Sequence, residues 1–412
     1  MRALARIAAA AAIATTTATA FAIGLSAAAG AAERGGSRAD HVVFVQTDNT
    51  AGNAIVAYDR ADDGTLTLAN TYPTGGLGGA LLGSTVDHLG SQGSLAYESE
   101  HAYDSHAYDS ERAYDSHAYD SEHAYDSERS LLYAVNAGSN TVSVFSVSGD
   151  QLSLRQVIDS GGTFPVSIAV HDGLVYVLNA FDGANIAGFR EAGGKLHPIH
   201  GSIRPLNLLI PSDNSQFTHT PGQVAFSPDG SQLLVTTKAN ANGQDVDVFS
   251  VGPDGRPSSS PVVNSLGSTV PFAVTFDQFG HLVLAEAGPS ALVSFTLNED
   301  GTITQIQSLP SGQTGLCWVT PAGPFFFTGN TAADSTSGYE SSSSGALTLL
   351  GNTSTDPGTV DASATPDGRF LYVQTGGNGI VDEFSVGSGG ALTSVGSVTV
   401  LNAAGGEGIV AT

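Results

Sequence analysis

The chain has 412 residues, one cysteine and a formal net charge of −25, with 39 acidic residues against 14 Lys and Arg. A surface this acidic repels nucleic acid and anionic membranes, and its only two lysines, Lys195 and Lys238, build no basic binding stripe. The lone Cys317 excludes an intrachain disulfide, so the fold has to rest on its core.

Arg2 and Arg6 precede an Ala/Thr-rich apolar run from Ile7 to Leu25, and small residues follow from Ser26 to Ala32. This order predicts an export signal over residues 1–32, leaving residues 33–412 as a secreted protein that is free of the membrane once cleaved. The run is long enough to serve as an anchor, but it is Ala and Thr rather than Leu or Ile, and no second apolar span follows.

Downstream, one pattern recurs in chain order. Val43 to Tyr58, Leu132 to Phe145, Val175 to Phe189, Leu234 to Phe249, Val283 to Phe295, Phe326 to Tyr339 and Leu371 to Phe384 are each a short β-rich run, a polar loop and a second run ending in an aromatic residue. Between copies come hairpin signals such as Asp63-Gly64, Asp254-Gly255, Asp300-Gly301 and Gly389-Gly390, where central turn residues need positive φ. Four antiparallel strands per unit and seven units predict an all-β, seven-bladed β-propeller forming a single domain over residues 33–412. The repeat begins with a second strand, Val42 to Val45, and ends with an innermost-type strand, Gly408 to Ala411. The C-terminal strand is therefore expected to complete the first blade and close the ring, removing exposed sheet edges.

Residues 97–130 form a low-complexity insertion within this domain, repeating YDSHA and YDSE(H/R)A with Tyr103, Tyr108, Tyr114, Tyr119 and Tyr125 as markers. It interrupts an inner strand that either flank could supply, and tandem duplication of one strand segment accounts for it. His101, His106, His117 and His123 lie among its carboxylates, which suits metal binding as well as a solvated loop. The loop reading carries more weight, and no metal or cofactor is expected.

The pieces FSPDG (Phe226 to Gly230), TPDGRFLYVQT (Thr365 to Thr375) and AEAG (Ala285 to Gly288) resemble the seven-bladed lactonase family of 6-phosphogluconolactonase-like and carboxymuconate cyclase-like proteins, especially its exported bacterial members. The resemblance implies a propeller that hydrolyses or isomerises a small lactone-type substrate at its channel mouth. Catalytic members place a Pro-Arg-His step where an inner strand begins. Here the corresponding steps read Pro221-Gly222-Gln223 and Pro271-Phe272-Ala273, so those catalytic residues do not carry over.

The ends of the second strands align Thr47, Asn136, Asn179, Lys238, Glu286, Asn330 and Thr375 on one face around the channel. The loops before the inner strands add His219 with Thr220, Gln313, Asp361 and Glu407, and Arg204 lies in the long connection from Lys195 to Gln216, which could fold over the mouth. A hydrolase needs a base to activate water and a cation or donor for the oxyanion. Glu286 or His219 is the candidate base, and Lys238 or Arg204 the candidate cation. Asn136, Asn179, Asn330, Gln223 and Glu407 are candidate substrate contacts. A non-catalytic propeller binding an extracellular ligand or protein through the same face is the alternative. Either way, the expectation is a monomer that meets a small-molecule substrate or an extracellular ligand, not nucleic acid.

Overall fold

The computed structural model describes residues 41–99 and 130–412. The expected signal at residues 1–32 and most of the 97–130 insertion lie outside these residues. The described chain folds into seven antiparallel sheets. From the axis outward, blade 1 holds Ile409–Ala411, Val42–Gln46, Ala54–Arg60 and Leu66–Pro73. Blade 2 holds Leu95–Glu98, Leu131–Asn136, Thr141–Ser148 and Gln151–Asp159, and blade 3 holds Pro165–His171, Leu174–Asn179, Asn185–Glu191 and Leu196–Pro198. Blade 4 follows with Val224–Phe226, Gln232–Thr236, Asp245–Ser250 and Val262–Ser265, and blade 5 with Pro271–Phe276, Leu282–Glu286, Ala291–Leu297 and Ile303–Pro310. Blade 6 takes Leu316–Ala322, Phe325–Asn330, Ser335–Ser341 and Leu347–Ser354, and blade 7 takes Thr359–Ala364, Phe370–Thr375, Ile380–Val386 and Leu392–Thr399.

Closure follows the sequence expectation. Ile409 to Ala411 pairs antiparallel with Val43 to Val45, and contacts between adjacent blades run around the ring from blade 1 through blade 7 and back. The seven-bladed propeller is thus the observed fold.

Burial explains which strands read as apolar runs. Second strands such as Val42–Gln46 and Leu131–Asn136 are buried along their whole length because both faces meet neighbouring blades. Outer strands such as Leu66–Pro73 and Leu347–Ser354 alternate with solvent and read as mixed. The aromatic that ends each third strand also has a structural cause. In five blades the pairing of third and fourth strands shifts register immediately before it, at Tyr58, Phe145, Phe295, Tyr339 and Phe384. Such a bulge turns the large ring into the gap between blades.

The Asp-Gly hairpins of blades 1 and 4 each lock onto the blade before. Gly64 in blade 1 has φ +90, and a Cβ there would stand 2.3 Å from the Phe370 ring of blade 7. Its carbonyl accepts a 2.8 Å hydrogen bond from Tyr372, as Gly255 in blade 4 accepts from Tyr176 in blade 3 at 2.6 Å. Only glycine meets both the positive φ and the close approach.

The insertion turns out to interrupt a hairpin at its tip. Leu95–Glu98, from the flank before the insertion, forms the inner strand of blade 2, and Glu98 stands directly opposite Leu131. Tyr97 and Glu98 therefore belong to the blade.

Candidate functional site

Strand direction places the second-strand ends and the inner-strand starts at one end of the channel, and the Asp-Gly hairpins at the other. Each polar residue at a second-strand end pairs with the first residue of the third strand: Asn136 with Thr141, Asn179 with Asn185, Glu286 with Ala291, Asn330 with Ser335 and Thr375 with Ile380. In blade 4 Thr236 is opposite Val246, which brings Thr237 rather than Lys238 into this ring. Thr47 and Thr237 perform the same task there, each hydroxyl accepting the amide hydrogen of the first third-strand residue, Ala54 and Asp245.

The ring residues secure turns and blade seams. Asn136 Nδ2 donates to Ser143 at 2.8 Å while its oxygen accepts from Thr74 at 2.6 Å, and Asn330 Nδ2 donates to Ser337 at 2.8 Å. Asn179 Nδ2 donates to Asn185 at 2.8 Å. All three are fully buried. Gln223 bridges blades 4 and 5, its Oε1 accepting from Val274 N at 2.7 Å.

One residue past the ring, two side chains take another course. Asp48 follows Thr47 with φ +48, and Lys238 follows Thr237 with φ +51. Left-handed backbone is costly for residues with a Cβ, and such strain concentrates at functional sites. Both side chains are buried, Lys238 at 1 % exposure and Asp48 at 0 %. Asp48 accepts from Glu407 N at 2.7 Å, before the closing strand; the charges of Asp87 and of Asp361, at the start of an inner strand, reach Asp48, and those of Asp87, Glu407 and Cys317, at the start of another, reach Lys238. Bulges at the inner-strand starts, between Leu316 and Trp318 and between Thr359 and Ala362, bring Cys317 and Asp361 to this level.

Asp87 arrives on a segment that fills the mouth. The connection from blade 1 to blade 2 runs from Thr74 to Ser94, whereas that from blade 2 to blade 3 takes only Ser160 to Phe164. Its backbone lies so close to blade 7 that a Cβ on Gly376 would stand 1.6 Å from the Val86 carbonyl oxygen. Trp318 Nε1 donates to Ser91 O at 2.7 Å, and Gln92 exchanges two hydrogen bonds with the Val319 backbone of blade 6 at 2.9 and 3.0 Å. Ser91 Oγ donates to Glu407 at 2.7 Å, and Ser94 Oγ to the Glu407 carbonyl at 2.9 Å.

Lys238 completes this plug. Its ammonium donates to the carbonyl oxygens of Gly90 and Phe217, the latter at 2.6 Å, and to Thr220 Oγ1 at 3.0 Å, and it lies 5.2 Å from the centre of the Phe272 ring. It forms no ion pair with Glu286 among the described residues. Burial lowers the Lys238 ammonium to about 8 against the opposing pull of Asp87. Burial pushes Asp48 up to about 7, Asp361 to about 7 and Asp87 to about 6, and drives Glu407 well above its usual range with help from the neighbouring carboxylates. The Cys317 thiol is pushed up to about 12, by burial first and then by Asp87, so it is no thiolate nucleophile at neutral pH.

The remaining candidates are dispersed. Glu286 is buried at its own turn, with its carboxyl raised by that burial. His219 ends the short helix Gln216–His219, its Nδ1 2.8 Å from both Ser215 O and Thr218 Oγ1. Its backbone carbonyl accepts from Asn240 at 2.6 Å, beside the loop that holds Lys238. Arg204 pairs with Ile186 on the outer edge of blade 3 and spends its guanidinium on backbone carbonyls, including Ser258 of blade 4 at 2.6 Å. The structure thus joins Lys238 and Glu407 in one cluster and leaves Glu286 and Arg204 elsewhere.

Among the described residues, no three His, Cys, Asp or Glu side chains stand close enough to share a metal ion. What the axial cluster offers is proton chemistry: carboxyls half-protonated near neutrality beside a cation. A separate groove of about 190 Å³ opens between blades 7 and 1, lined by Tyr58, Leu68, Thr71 and Leu401. It holds no carboxylate or cation.

No family model and no curated protein matches the sequence. Solved structures do match in shape. A protein of Bacteroides uniformis, provisionally assigned as a 6-phosphogluconolactonase, superposes with a TM-score of 0.65 at 17 % identity, covering 90 % of this chain and 98 % of its own. A similarly assigned protein of Bacteroides fragilis gives 0.64 at 16 % identity, with the same coverages of 90 % and 98 %. The periplasmic gluconolactonase of Pseudomonas aeruginosa gives 0.63 at 16 % identity, again over 90 % and 98 %. The seven-bladed propeller expected from the repeats is therefore matched at the level of fold, at 16–17 % sequence identity.

Proposed function

We propose that this protein is a secreted, lactonase-like hydrolase acting on a small lactone as a monomer. The observation that carries the reading is the axial cluster. Four carboxylates and one lysine converge on the channel of a fold shared with gluconolactonases, two of them held there by left-handed backbone. A carboxylate of the cluster, Asp361 or Asp87, would take a proton from water as the water oxygen bonds to the lactone carbonyl carbon. Lys238 would stabilise the oxyanion, and a protonated neighbour such as Glu407 would give its proton to the ring oxygen as the acyl C–O bond breaks, releasing a hydroxy acid.

Hydrolysis of sugar-acid γ- and δ-lactones followed by base titration from pH 5 to 9 tests it. Turnover rising through about pH 7 and abolished in Asp361→Asn or Glu407→Gln is expected. No turnover of any lactone across that range overturns it. A second reading, a non-catalytic ligand-binding propeller, is favoured by the plug, because Lys238 already has three acceptors and the mouth is filled. Under that reading a sugar acid would raise the melting temperature with no product formed.

A further inference from the structure

Positive charge is scarce in this acidic chain, and its placement is uneven. Among the described residues, Arg60 and Arg369 face the Phe370 ring and Lys238 lies on the axis. Every other Lys and Arg, namely Arg155, Arg190, Lys195, Arg204 and Arg256, sits on blades 2 to 4.

Blade packing draws these residues into one strip. Arg155, on the outer strand of blade 2, has its Nε 3.5 Å from where a Cβ on Gly194 of blade 3 would stand, next to Lys195. Arg190 of blade 3 pairs in register with His197, and its Nη2 lies 3.1 Å from the Cβ position of Gly255 in the blade 4 hairpin. Arg256 follows in that hairpin, with its Nε 3.9 Å from the Cβ position of Gly201. Arg155, Arg190, Lys195 and Arg256 are exposed, as are His197 and His200 between them.

Three carboxylates lie among these cations. Glu191 accepts from Gly194 N at 2.7 Å, Asp254 faces Arg256 at 3.4 Å and Asp172 faces His171 at 3.5 Å. Arg155, Arg190 and Lys195 form no ion pair among the described residues. Arg155, Arg190 and Lys195, unpaired on blades 2 and 3, with the Asp254-paired Arg256 beyond them in blade 4, concentrate positive charge on one part of a molecule whose net charge is −25.

Its shape selects the ligand. The cations are spread over outer strands and hairpins of three blades, so one small anion would meet one or two of them, whereas a linear polymer with repeating charges meets them all. No exposed Phe, Tyr or Trp stands on the strip, so nucleic-acid bases would find no ring of these to stack on. We propose that this strip binds a linear acidic polysaccharide, whose carboxylate or sulfate groups span the outer hairpins of blades 2 to 4.

Retention of the full chain on immobilised polygalacturonate and on heparin tests this, since a protein this acidic should otherwise be repelled. At roughly 20 mM salt the protein should be held by at least one matrix and released by roughly 300 mM, as expected for counterion release from a multi-charge contact. The triple variant Arg155→Gln/Lys195→Gln/Arg256→Gln, confined to exposed side chains, should bind at least tenfold more weakly. Arg369→Gln, an exposed cation outside the strip, should bind as the parent does. Failure of the parent to bind either matrix, or equal binding by the triple variant, overturns the proposal. Competition by single-stranded DNA at equal charge concentration overturns the polysaccharide assignment. Lactone turnover should be unaffected by these changes, so the two readings fail separately.

Discussion

Lys238 shows how one buried charge can organise a site. With its ammonium removed, the carbonyl oxygens of Gly90 and Phe217 lose their donor and the axial carboxylates lose their cation. Lys238→Met is expected to cost about 3 kcal/mol of stability at pH 7.5, the scale for stranding buried polar and charged partners. The deficit should shrink at pH 5, where the carboxylates are protonated and need no counter-charge. Urea unfolding at both pH values measures it, and an equal deficit at the two would mean that the carboxylates are not what Lys238 balances. Lys238 and Glu407 are legible in the sequence because lysine is rare here and Glu407 precedes the closing strand. Asp48 is not, because its direction depends on a left-handed φ that no local motif announces. Arg204 reads as a mouth residue from its place in a long connection, yet that connection adds strand to blade 3 before it turns toward the mouth.

Elements differ in legibility for a related reason. The four-stranded unit recurs, so its Asp-Gly turns and aromatic strand ends can be aligned against one another. The Thr74 to Ser94 plug occurs once, and its glycines are set by approach to other blades rather than by any period; only its length marks it. Gly376 is the tightest of these approaches, and its φ is not in the positive range, so an added methyl meets only the steric clash. Gly376→Ala should therefore push the Val86 region outward, and limited proteolysis should cut between Thr74 and Ser94 in the variant while sparing the parent. An unchanged cleavage pattern would show that the plug tolerates displacement by shifting with blade 7. The insertion behaves oppositely. Glu98 faces Leu131 as His171 faces Leu174 in blade 3, where the two-residue turn Asp172-Gly173 makes the link. Replacing residues 99–130 by Asp-Gly should leave the unfolding free energy within about 1 kcal/mol of the parent, since both flanking strands keep their partners. A loss well beyond that would assign the tract a part in holding blade 2.

At the scale of the whole molecule, the buried carboxyls tie stability to pH. Asp48 and Asp361 at about 7 and Asp87 at about 6 on the axis are joined by Asp247 at about 7 in blade 4 and Glu383 at about 7 in blade 7, all raised first by burial. A carboxyl whose folded pKa lies above its unfolded value binds more protons when folded, so its stabilisation is complete below about pH 4 and is lost as pH rises through about 7. Lys238, lowered to about 8, acts in the other window: relative to high pH, stability falls as pH drops from about 10.5 through 8. Turn aspartates held below the usual range by hydrogen bonds, Asp63, Asp229 and Asp300, lose their contribution only below about pH 4. The melting temperature should therefore peak near pH 4, fall by roughly several degrees toward pH 7.5 and recover little before pH 9. Removing two of the buried charges with Asp48→Asn/Asp361→Asn should flatten the fall between pH 5 and 7.5. A parent curve already flat over that interval would mean that water enters the plugged channel and solvates the cluster, and the plug would then be an open gate rather than a seal.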